Sequence, residues 1–241
     1  MKINHPNQIV DALISDYRNA FGDTLHSVIM YGSALSHEYV QGKSEVNILV
    51  VLTDASIEVL HKSIEVNKRW LKRGIAIPSF MTPHFIKSSI NSWPVKFVNI
   101  QCNYKILYGD DLIKNCAINR ENIRRQCDRD LKEMVLHLKT EYLKASGQKT
   151  QLLKVLEFTL ERLFPLFRAI LVLNDRKIPS SRSEVITSIE DIFCIGSSVL
   201  SDIFLQKCRN CEFEKSFDEF VKIVDMMVQY IDEMSVQEEI V

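Results

Sequence analysis

Between residues 9 and 21 the apolar side chains Ile9, Leu13, Ile14, Tyr17 and Phe21 recur at three- and four-residue steps. This predicts an amphipathic helix from about Asn7 to Phe21, stopped by Gly22. The period then changes. Val28, Ile29, Met30 and Tyr31 form one apolar, β-rich run, and Val46 with Ile48 to Leu52 forms a second, both reading as buried strands. Between them lie the small-residue corner Gly32, Ser33, Ala34 and a polar connection. Ile57, Leu60, Ile64, Trp70 and Leu71 then predict one helix between the capping residues Asp54 and Ser56 and a stop at Gly74. Ile75 to Met81, interrupted by Pro78, predicts a short strand at a sheet edge. His84 to Ile90 suits a short helix, and Val95 to Leu107 reads as a long strand with a bulge near Asn103.

Past Gly109 every strong period is helical. Helices are expected from Asn119 to Leu143 (ended by Ser146-Gly147), from Thr150 to Leu173 with a kink at Pro165, from Ser183 to Phe193, from Ser198 to Lys207, and from Phe213 to about Met234. The last presents Phe217, Phe220, Val221, Val224, Met227, Val228 and Ile231 on one face. The fold class that follows is α+β: a small α/β domain with a mixed sheet, residues 1–115, followed by an all-α helical bundle, residues 116–241.

Composition changes this picture little. A chain of 241 residues has enough length for two modest cores, and a formal net charge of −1 supplies no general attraction to a phosphate backbone, which argues against long-tract nucleic-acid binding. No apolar run is long enough to span a bilayer, and the polar residues Met1 to Val10 do not resemble a secretory signal. Six cysteines in this context read as reduced thiols of a cytoplasmic protein. Cys208 and Cys211 make one C-x-x-C with no second pair to complete a zinc site.

The candidate chemistry lies between His26 and Leu52. Side chains two apart on a strand share a face, so Glu45 and Asn47 should stand together near the Gly32-Ser33 corner. This segment resembles the nucleotidyltransferase superfamily of the polymerase β type. The resemblance rests on Tyr31-Gly32-Ser33, on the connection that follows, and on Glu45-Val46-Asn47-Ile48 at the spacing of a metal-binding acidic pair, with Asn47 where an acid belongs. It extends through Lys96 to Leu107 and the Tyr108-Gly109-Asp110-Asp111-Leu112 corner. The helical remainder looks similar to the bundle that bacterial two-domain members append.

The resemblance implies that Gly32 and Ser33 hold the phosphates of a nucleoside triphosphate, and that Glu45 and Asn47 are what remains of a Mg²⁺ site. A third acid is implied on a later strand, where this chain has Lys96 and Asn99. Nucleotidyl transfer is mostly positioning and charge neutralisation by metal ions held by several carboxylates. Three carboxylates would supply −3, whereas Glu45 with Asn47 and Asn99 supplies −1 and with Lys96 supplies 0. If Lys96 faces the site, its ammonium stands in for a metal at the phosphate. His37, in the connection, is a further candidate ligand contact. Arg120, Arg124, Arg125 and Arg129 form a basic stripe that either pairs with Glu121, Asp128 and Asp130 or reaches a triphosphate.

The expected function is therefore a nucleotidyltransferase-superfamily protein that binds a nucleotide or phosphorylated small molecule with weakened or lost transfer. The alternatives are an active metal-dependent enzyme moving a nucleoside monophosphate to a small-molecule or protein hydroxyl, and a scaffold docking a protein partner or a second copy through the bundle.

Overall fold

The computed structural model describes residues 6–36, 39, 45–196, 199–205 and 213–235. The chain divides into two compact units, Met1–Trp93 with Phe97–Ala117, and Pro94–Lys96 with Ile118–Val241.

The first unit holds α1 (Val10–Phe21), preceded by one 3₁₀ turn, and a sheet of β1 (Leu25–Tyr31), β2 (Asn47–Leu52), β3 (Ser79–Met81) and β4 (Tyr104–Gly109). Gly22 ends α1 at φ +54°, a conformation that suits glycine. Strand order is β3-β2-β1-β4, with β1 antiparallel to both neighbours and β3 parallel to β2 at the edge. The sheet is mixed, as the pattern led one to expect. Val28 and Met30 of β1 and Ile48, Val50 and Leu52 of β2 cluster with Leu13, Tyr17 and Phe21 of α1 and with Trp70. The alternate residues Ile29, Leu49 and Val51 are equally inaccessible on the other face. This double burial is why the two runs are continuous rather than alternating.

The expected single helix after β2 is two, α2 (Ile57–His61) and α3 (Ile64–Leu71). The Ser63 hydroxyl donates to the Leu60 carbonyl at the break, and Ile57, counted in the apolar face, is 82% exposed. Trp70 anchors α3 against α1: its indole N–H donates to Asp16 Oδ2 at 2.9 Å, and the Tyr17 hydroxyl donates to Asn67 Oδ1 at 2.9 Å.

A larger correction concerns residues 94–102. They form α5 (Pro94–Cys102), after a short α4 (Pro83–Ser89), and only Tyr104–Gly109 is strand. Pro94 occupies the first helical turn, where its fixed φ favours a helix and its missing N–H costs nothing. Val95, Phe97, Val98 and Ile100 are buried while Lys96 and Asn99, three apart, are partly exposed, a helical spacing hidden within an apolar run.

The second unit contains α6 (Arg120–Ala145), α7 (Lys149–Leu173), α8 (Arg182–Ile192), α9 (Val199–Phe204) and α10 (Phe213–Glu233). The Asn119 side chain caps α6 by accepting from the Asn122 N–H, and Ser146 closes it in the left-handed conformation. Pro165 lies inside α7, which continues through it. On α10, Phe217, Phe220, Val224, Met227 and Ile231 are buried, with Ile223 added. No described helix is long and apolar enough to cross a membrane.

Candidate active site

Tyr31 ends β1 in extended geometry, and Gly32 then turns the chain at φ +83° into a four-residue 3₁₀ turn, Gly32–Leu35. Asn103 fixes this corner from both sides: the Gly32 N–H donates to the Asn103 carbonyl at 2.9 Å, and the Asn103 amide donates to the Gly32 carbonyl at 3.2 Å. The Gly32 N–H is thus committed to the protein. The Ser33 carbonyl accepts from the Ser36 N–H and hydroxyl at 3.0 Å each.

Asn47 pairs across the sheet with Tyr31, and its Nδ2 lies 3.4 Å from the point a Cβ on Gly32 would occupy. The corner and Asn47 are therefore neighbours. Glu45 lies two residues earlier, exposed and just outside the strand, while Val46 between them is buried and bridges to Ile75. Among the described residues, neither the Asn47 amide, the Ser33 hydroxyl nor the Glu45 carboxylate has a hydrogen-bond or ion-pair partner.

Two residues that the pattern left unmarked complete this face. Leu49, on the Asn47 face of β2, pairs in parallel register with Ser79 of β3, so Ser79 shares that face. Tyr31, opposite Asn47, is hydrogen-bonded to Ser79; burial pushes its phenol above the usual range and the serine bond pulls it the other way. The group on the strand beside β2 is a neutral serine hydrogen-bonded to a neutral phenol. Only the parallel pairing of β2 and β3 reveals this, and the signal available beforehand was Pro78 marking an edge strand.

Lys96 and Asn99 were expected on a strand next to the acidic position. Both lie on α5, whose first turn, including Lys96, belongs to the second unit. The two alternative strand registers, one presenting Lys96 and the other Asn99, do not exist on a helix. Burial lowers the Lys96 pKa from its ordinary value. His37, Cys208 and Cys211 lie outside the described residues.

A pair of divalent ions does not fit this set. The described face offers Glu45 as its only carboxylate, with Asn47, Ser33 and Ser79 uncharged, and no group of three or more His, Cys, Asp or Glu among the described residues could hold an ion. Hard divalent cations need charged oxygens that this set does not supply.

The basic stripe on α6 is paired within its own unit. Arg124 contacts both carboxylate oxygens of Glu121 at 2.8 and 2.9 Å, Arg125 bonds Glu121 at 2.8 Å, and Arg129 meets Asp130 at 3.1 Å. Arg120 donates to the Val172 and Leu173 carbonyls and to Asp175. A cavity of about 600 Å³ near Asp11, Ser15, Arg18, Asn19, Asp23 and Tyr108 lies at the opposite end of β1 from the corner. Its largely exposed lining and its distance from Asn47 along β1 separate it from the site.

A mixed four-stranded sheet with a Gly-Ser corner facing the start of β2, followed by a helical unit, is the two-domain nucleotidyltransferase-like fold. The chain is similar in structure to spectinomycin adenyltransferase AAD(9) from Enterococcus faecialis, solved with ATP and spectinomycin. The TM-score is 0.53 and the identity 10%, over 91% of this chain and 99% of that one. No protein-family model matches the chain, and no curated protein matches it.

Proposed function

We propose that this protein binds a nucleoside triphosphate or another phosphorylated small molecule at the Gly32–Ser33 corner, with nucleotidyl transfer weakened or lost. The observation that carries this reading is the Asn47 amide, set against the Gly32–Ser33 corner where the chain turns at φ +83° and without a protein partner among the described residues. The likeness in fold to an adenyltransferase solved with ATP supports a nucleotide as ligand. Loss of transfer follows from charge. A single carboxylate leaves transition-state stabilisation short by several kcal/mol, which is several powers of ten in rate.

The competing reading is a working metal-dependent transferase, favoured by one feature: Glu45 is exposed and has no partner among the described residues, able to take one ion. Calorimetric titration with each nucleoside triphosphate, in Mg²⁺ and separately in EDTA, tests the proposal. Saturable binding in either buffer, weakened by Ser33→Ala, is expected, together with pyrophosphate release from MgATP no faster than in buffer. No binding in both buffers would remove the proposal and leave the scaffold reading, in which the helical unit docks a protein partner or a second copy. Steady pyrophosphate release would favour the transferase.

A further inference from the structure

Three strands determine what stands where the resemblance places acids. On the face that carries Asn47, β1 contributes Tyr31, β2 contributes Asn47 after Glu45, and β3 contributes Ser79. Tyr31 is hydrogen-bonded to Ser79, and burial keeps the phenol protonated. Asn47 is half-buried and turns its amide nitrogen toward Gly32, whose missing Cβ leaves the space beside Nδ2 open. Gly32 is itself held in place by the two Asn103 hydrogen bonds, and β1–β2 pairing sets Asn47 beside it.

An amide differs from a carboxylate in one decisive way: it has two N–H donors as well as an acceptor oxygen. A carboxylate beside a phosphate repels it unless a cation intervenes, whereas an amide donates to the phosphate directly. Hydrogen bonds to a charged acceptor are about twice as strong as neutral ones. We infer that Asn47 replaces the metal at this site: with the Ser33 hydroxyl, its amide grips a phosphate of the ligand directly, making binding independent of divalent cations. This rests on the function proposed above and deepens it by naming the ligand form, a metal-free polyphosphate.

The test compares ATP affinity of the full chain in EDTA and in Mg²⁺, for the wild type and for Asn47→Ala and Asn47→Asp. Tripolyphosphate serves as a second probe that separates phosphate recognition from recognition of the nucleoside. The expected result is wild-type affinity in EDTA within about threefold of that in Mg²⁺, and a loss of about tenfold or more for Asn47→Ala in EDTA. Asn47→Asp should bind poorly in EDTA and recover in Mg²⁺, because the new carboxylate needs a cation between it and the phosphate. Tripolyphosphate binding that falls in step with ATP on Asn47→Ala would support direct contact with phosphate. Wild-type binding seen only with Mg²⁺ would overturn the inference while leaving the proposed function standing, and this arm needs no variant to fold. Undiminished affinity of a folded Asn47→Ala in EDTA would overturn it equally, and absence of binding in both buffers would overturn both.

Discussion

Gly109 shows how much one residue can be asked to do. It ends β4 at φ +75°, and a Cβ there would lie 1.9 Å from the His26 carbonyl oxygen, inside any permitted contact with backbone. Gly109→Ala should therefore destabilise the first unit by about 3 kcal/mol or more, through backbone strain and a forced separation of β4 from β1. Urea denaturation followed by tryptophan fluorescence would show it, and a midpoint equal to the wild type would contradict the close approach. Glu121 is a quieter case. The Arg124 hydrogen bonds above all, opposed by burial and helped by Arg125, lower its pKa from 4.5 to about 2. A carboxylate whose folded pKa is depressed contributes stability that is complete above its unfolded value and is lost as pH falls through the folded one. Its contribution should thus be present at pH 6 and decline between about pH 4.5 and about 2. Glu121→Gln should cost about 1 kcal/mol near neutrality and well under half of that near pH 2, measured by denaturation at the two pH values.

At the scale of elements, ends and junctions carry the information. Asn119, Ser146 and Gly22 stop or start helices where their chemistry says they should. The C-terminus of α7 is different, because its carbonyls are satisfied from a distance. The Arg120 guanidinium donates to Val172 O at 3.2 Å and Leu173 O at 2.7 Å, and also meets Asp175 Oδ1 at 2.8 Å. Arg120 is 12% exposed, so its loss would leave poorly hydrated carbonyls at a helix end. Arg120→Ala should destabilise the second unit by about 2 kcal/mol, while Arg125→Ala, at an exposed pair, should cost less than about 0.5 kcal/mol. Thermal melts of the two variants side by side would reveal equal losses if Arg120 were only a surface charge. The α5 segment teaches the opposite lesson about local reading. Pro94, Val95, Phe97, Val98 and Ile100 satisfy a strand and a helix equally well within nine residues, so periodicity had no means of choosing.

At the scale of the molecule, topology decides which residues meet. Residues 31, 47 and 79 share one sheet face although their separations in the chain are unrelated, because β1 lies between β2 and β4 and β3 joins β2 in parallel. This geometry makes a concrete prediction about charge. Asn47→Asp combined with Ser79→Asp, alongside the native Glu45, would restore three carboxylates to the face. Such a variant should gain Mg²⁺-dependent ATP binding that the wild type does not show, seen as a calorimetric signal abolished by EDTA. A variant that binds no Mg²⁺ would mean that Ser79 does not point where the parallel register sets it. The variant also breaks the Tyr31–Ser79 bond, so a melting control belongs with it.

Local chemistry alone settled a good deal: the two central strands and the helix before them, the change to an all-helical texture after Gly109, the double burial of β1 and β2, and the spacing that brings Gly32 near Asn47. Each of these depends on residues within a turn or two of one another, or on two strands joined by one connection. Fold class was legible for that reason. The tertiary structure decided the rest. It made a helix of residues 94–102, placed Ser79 rather than Lys96 on the strand beside Asn47, tied the Gly32 N–H to Asn103, and gave Arg120 to the end of α7. These are pairings between segments distant in the chain, or choices between helix and strand made by what covers an apolar run. No local period encodes either, because hydrophobic burial rewards whichever conformation the neighbouring elements leave room for.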